Sequence, residues 1–109
     1  MKIAFATPEL KSLVRRTQLA EIAEVLPRTL QSLGAEVRVF LPFSRDIDVE
    51  SLGPLEESAL LRIRDGSGRT PITIRTGYID GLTVHLIDHE SLYRNRHPYG
   101  DEDGPYADN

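Results

Sequence analysis

The chain contains no cysteine, which excludes a disulfide framework and any thiolate metal site and suits a reducing cytoplasm. It has no apolar run near the ~20 residues that a membrane span requires. The opening Met1-Lys2-Ile3-Ala4-Phe5-Ala6 is too short for a signal peptide, because Pro8-Glu9 cuts it off. Clustered cations are scarce as well. The net charge is −4, and Lys11, Arg15 and Arg16 near the front are answered by Asp101, Glu102, Asp103 and Asp108 at the end. Nucleic acid and anionic membrane are therefore poor partners. What remains is a soluble, cytoplasmic chain for which no metal and no cofactor is expected. Its 109 residues make one domain or part of one. Hydrophobic residues at 39% and charged residues at 28% are those of an ordinary globular protein, with a modest core for this length.

Lys2 to Ala6 reads as a short buried strand, stopped by Thr7-Pro8. Residues 9–16 read as a polar, cation-rich loop. A helix starts near Thr17, whose hydroxyl is placed to accept from a free amide of the first turn. Leu19, Ile22, Ala23, Leu26, Leu30 and Leu33 recur at spacings of three and four, which puts them on one face, the expected core face. Glu21 lies early, where a negative charge suits the helix dipole. Pro27 lacks the N–H that would reach the Ala23 carbonyl, so a kink or a division of the helix is expected there. Gly34 falls where a helix commonly ends in a left-handed residue. Glu36 to Leu41 is a second strand, with Val37, Val39 and Leu41 on one side and Pro42 at its end. Strand, helix and strand with short links make a right-handed βαβ unit with parallel strands.

Residues 44–57 read as loop. Beyond them, Ala59 to Arg64, Ile72 to Tyr78 and Leu82 to Ile87 are strand-like. Asp65-Gly66-Ser67-Gly68 and Asp80-Gly81 join them, each with the Asp-Gly pair that tight hairpins favour. The expected fold is therefore α/β, an open Rossmann-like sheet with a leading βαβ unit and an antiparallel hairpin meander. From Glu90 onward the chain reads as loop and short helix, and Tyr106-Ala107-Asp108-Asn109 stop without a closing element.

Three stretches together resemble the opening of the glycogen and starch synthase family. They are Met1 to Glu9; Leu26-Pro27 through Gly34-Ala35-Glu36-Val37-Arg38-Val39-Phe40-Leu41-Pro42; and Asp80-Gly81-Leu82-Thr83-Val84-His85-Leu86-Ile87-Asp88 followed by Leu92-Tyr93, Pro98-Tyr99-Gly100 and Tyr106 to Asn109. The resemblance implies part of the N-terminal half of a two-domain GT-B glycosyltransferase over residues 1–109. It also implies a retaining transfer of glucose from ADP-glucose to an α-1,4-glucan without a metal. The family carries Lys-Thr-Gly-Gly-Leu at the loop into its first helix. Aligned on Leu19 and Leu26-Pro27, the lysine falls on Arg15 and the glycine pair on Thr17 and Gln18. Glycines let amides approach phosphate closely at a helix start, and side chains there fill that space, so the departure counts against donor binding. Arg15 keeps the charge but spreads it over a bulkier fork.

No residue of the chain is assigned a catalytic role. The substrate-binding candidates are Arg15, Thr17 and Gln18, as an anion site at the helix start, and Tyr99 and Tyr106, whose rings could stack on sugar. Each has a plainer alternative, a solvated loop for the first three and packing for the tyrosines. His85 and His89 would stand about 13 Å apart along a strand, too far for one metal ion, so His85 is expected to make surface hydrogen bonds. Two functions stay open. One is a fragment or degenerate relative of the glucosyltransferase that supplies the acceptor-side wall of its cleft, inactive alone because the second wall is missing. The other is a non-catalytic module that binds glucan, or pairs with a copy or a partner subunit through an open sheet edge.

Overall fold

The computed structural model describes residues 1–65, 68–89, 100–101 and 104–105. It contains β1 (Lys2–Ala6), α1 (Leu19–Ser32), β2 (Glu36–Pro42), a 3-10 turn (Val49–Leu52), β3 (Glu56–Asp65), β4 (Gly68–Ile79) and β5 (Leu82–Asp88). A separate pair, β6 (Gly100–Asp101) and β7 (Gly104–Pro105), is antiparallel. The five-stranded sheet has the order β1-β2-β5-β4-β3. β1 and β2 are parallel, in register from Lys2 opposite Glu36 to Ala6 opposite Phe40. β5 joins β2 in parallel, and β4 and β3 follow antiparallel. The expected α/β open sheet is what forms.

Sequence chemistry accounts for the joints. Asp80 and Gly81 form the two-residue β4–β5 turn with φ of 48° and 82°, the doubly left-handed geometry that matches strand twist. Gly34 has φ 99°. Its N–H donates to the Gln31 carbonyl at 2.9 Å, and the Ala35 N–H reaches Leu30 at 3.1 Å. Those two bonds satisfy carbonyls that the last helical turn leaves open.

Of the two outcomes expected at Pro27, division does not occur: α1 runs through it as one element, and the Pro27 ring is fully buried alongside buried Ala20 and Ala23. The buried face differs from the expected one. The buried stripe is Ala20, Ala23 and Pro27, whereas Ile22 and Val25 are 59% and 62% exposed and Leu19, Leu26 and Leu33 are exposed too. Small residues let the helix axis lie close over Val39 and Leu41, and the larger apolar residues turn outward. Arg28 fixes this rotation by donating to the carbonyls of Asp80 at 2.9 Å and Ile79 at 3.3 Å.

The core also takes residues from segments that read as loop. Leu10, Leu13 and Val14 are buried in the main cluster with Val39, Leu41, Leu82, Val84 and Leu86. Residues 9–16 are therefore a folded element that presents its cations outward and its apolar residues inward. The Lys11 N–H donates to the Ala20 carbonyl, and the Asp48 N–H donates to Leu13.

Candidate functional site

β1, β2 and β5 run in one direction, so their carboxyl ends lie together, where open α/β sheets usually form their sites. The chain leaves β1 through Thr7, whose N–H donates to the Phe40 carbonyl at 2.9 Å and whose hydroxyl donates to the Glu9 carbonyl at 3.0 Å. Glu9 is fully buried. Its carboxylate accepts from the Arg16 N–H, from the Thr17 N–H at 2.6 Å and from the Thr17 hydroxyl. The same hydroxyl oxygen accepts from the Leu19 N–H at 3.2 Å, as expected for Thr17, although the helix proper begins two residues later. Ser12 donates to Glu24 at 2.5 Å, tying the outer part of the loop to α1.

Arg15, Thr17 and Gln18 are thus brought together at the start of α1. Arg15 is exposed, with its guanidinium 2.7 Å from the Glu21 carboxylate. Arg16 lies 3.6 Å from Asp46 on the loop after β2. Each of these cations faces an internal acid. An exposed pair of this kind is worth about 0–1 kcal/mol, so Arg15 remains available to an incoming anion. Tyr99 and Tyr106, the two candidates for sugar stacking, lie outside the described residues, as do Tyr93 and the side chains of Asp101 to Asp103. Sequence reasoning missed Glu9 and Asp46. No sequence signal marks Glu9, because its donors lie seven and eight residues further along the chain.

His85 is not at the surface. It is 7% exposed, its Nδ1 is hydrogen-bonded to Thr76 Oγ1 at 2.7 Å, and its ring lies 4.8 Å from Phe40. A register shift in β3 between Glu57 and Ala59 brings the Ser58 hydroxyl onto Thr76 as well. Burial, and secondarily the nearby charge of Arg38, holds the His85 pKa below its usual 6.5. The unfolded chain therefore binds the proton more readily than the folded one. Stability is complete above about pH 6.5 and is lost as the pH falls from there through the lowered folded value. Urea titrations at pH 7.5 and 5 should show this loss, and the portion due to His85 should vanish in His85→Gln. Among the described residues no group of three His, Asp or Glu could hold a metal, and no helix is long and apolar enough to cross a membrane.

A family model for the starch synthase catalytic domain matches residues 2–109. The glycogen synthase of Myxococcus xanthus (strain DK1622) is 35% identical over 111 residues, covering 100% of this chain and 23% of its own length. That of Glaesserella parasuis serovar 5 (strain SH0165) is 34% identical over 110 residues, covering 100% and 22%. The fold superposes on the catalytic domain of Starch Synthase IV from Arabidopsis thaliana bound to ADP and acarbose, with a TM-score of 0.77 and 22% identity. That match covers 94% of this chain and 21% of the other. The chain spans under a quarter of the length of the curated relatives it matches.

Proposed function

This chain belongs to the starch synthase catalytic domain family, and from that we propose that it forms part of the N-terminal wall of a GT-B cleft in which glucose passes from ADP-glucose to an α-1,4-glucan. The family match along residues 2–109 carries this reading. The ordered loop at the carboxyl end of β1 supports it, since that loop sets Arg15, Thr17 and Gln18 at one helix start. In this reading Arg15 leaves Glu21 for a donor phosphate, while Thr17 and Gln18 shape the floor beneath the sugar. Tyr99 and Tyr106 are assigned to the acceptor side. Residues 1–109 constitute a partial domain that works in the cytoplasm, and by themselves they bind without transferring, because transfer needs a second wall around the nucleotide.

The exposed ridge of Ile22, Val25 and Leu26 favours a second reading, a non-catalytic module that binds glucan or pairs with another subunit or a copy of itself. Thermal unfolding of the purified chain with ADP-glucose, and separately with maltooligosaccharide, distinguishes the two. A ligand at a hundred times its Kd adds about 2.7 kcal/mol to the folded state. Stabilisation by ADP-glucose is the result expected. Stabilisation by maltooligosaccharide alone, or a dimer in sedimentation without response to ADP-glucose, would select the second reading, and a monomer that responds to neither sugar would count against both.

A further inference from the structure

Glu9 is a carboxylate with no exposed surface, and it has no role in the reading of the loop given so far. Buried charges persist where they are hydrogen-bonded, and this one collects three donors from two consecutive residues. Both residues belong to the loop that enters α1, and one of them, Thr17, occupies a position where the family resemblance implies glycine. A threonine there would ordinarily crowd that space. Here its hydroxyl is turned onto the Glu9 carboxylate, and its N–H is held by the same group. The Arg16 N–H is held too, while the Arg16 side chain leaves in another direction, toward Asp46. The carboxylate therefore sets both the backbone path of residues 16 and 17 and the rotamer of the side chain that replaces a glycine.

We propose that Glu9 is the positioning residue of this loop, and that the Glu9–Thr17 clasp turns the hydroxyl of an otherwise exposed threonine toward the core so that the ligand-facing side of the loop stays open in the absence of glycine. The inference rests on the reading of the loop as part of a sugar-nucleotide cleft. Glu9 itself touches no ligand. It acts through Arg16 and Thr17, and its influence reaches Arg15 and Gln18 only because they flank the two residues it holds.

The test uses the full 109-residue chain and three variants, Glu9→Gln, Thr17→Val and Thr17→Ser. Amide exchange at Arg16 and Thr17 is read beside dissociation constants for ADP-glucose. Glu9→Gln keeps the shape but points an amide donor at a cluster of donors, so exchange at residues 16 and 17 should rise about tenfold while Val39 and Val84 stay protected. Affinity for ADP-glucose should fall by a similar factor. Thr17→Val removes the hydroxyl arm of the clasp together with its contact to the Leu19 N–H, and it should weaken binding by about threefold, near the low end for one lost hydrogen bond. Thr17→Ser keeps the hydroxyl, so amide exchange at residues 16 and 17 should stay at the parent's level. If the parent binds and both Glu9→Gln and Thr17→Val bind equally well, the positioning role is overturned and the cleft reading stands. If the parent does not bind ADP-glucose, the cleft reading fails, and Glu9 is reduced to a structural anchor whatever the exchange rates show.

Discussion

Replacing Leu86 with alanine should lower the free energy of unfolding by about 3 kcal/mol and the thermal midpoint by roughly 10–15 °C. Leu86 is fully buried on β5, the middle strand of five, between Leu41 on the parallel side and Arg75 on the antiparallel side. Its side chain joins the one cluster that includes residues from the loop after β1, from α1 and from the sheet. Truncation loses the transfer free energy of the removed carbons. It also leaves a cavity that a hydrogen-bonded central strand cannot close. A domain of this length holds on the order of 5–15 kcal/mol in all, so the change takes a large share of it. Urea denaturation should show a lower midpoint with an unchanged slope. A loss below about 1 kcal/mol would mean that the strand relaxes into the gap and that β5 is not the rigid centre of the sheet.

Gly77→Ala should cost about 1–3 kcal/mol for the opposite reason, too much matter in too little space. The backbone of Gly77 needs no unusual angle. Its requirement is room: an added Cβ would stand 2.9 Å from Leu55 Cδ2, 3.0 Å from Leu52 Cβ and 3.3 Å from the Leu52 carbonyl oxygen. The first of these is the end of a side chain and can swing away. The other two belong to the 3-10 turn before β3, and they move only if that turn moves. Leu55→Ala in the same chain should therefore restore little of the loss. Full restoration by that second change would show that the turn lies loosely on the sheet.

Much of this architecture is legible in the residues themselves. Asp80-Gly81 and Gly34 announce their turns because the backbone angles they adopt are costly for most other residues. Val37, Val39 and Leu41 announce a half-buried strand by alternation. The buried face of α1 was not legible. Two apolar stripes overlap on that helix, and spacing alone favours the larger residues, whereas the sheet accepts Ala20, Ala23 and Pro27 because they permit closer approach. The folding of residues 9–16 into the core was hidden for a similar reason. Three apolar residues spaced among cations look like solvated loop until the cavity that receives them exists. His85 reads as a polar surface residue because its partners, Thr76 and Ser58, come from strands whose register depends on an extra residue in β3. At the candidate site, Arg15, Thr17 and Gln18 could be located by alignment with a motif. Glu9 could not, since its importance lies in donors seven and eight residues away that only the folded loop supplies.

The mixed sheet also distributes the entropic cost of assembly unevenly among its pairings. β3, β4 and β5 are neighbours in sequence and can zip through tight turns. The pairing of β2 with β5, Arg38 opposite Thr83, must close a long stretch of chain before any contact rewards it. Until that closure, the leading strand–helix–strand has nothing against which to dock the flank of β2. Among the sheet's pairings, the parallel seam between β2 and β5 therefore carries the largest loop-closure cost, and it cannot form before Leu82 to Asp88 are present.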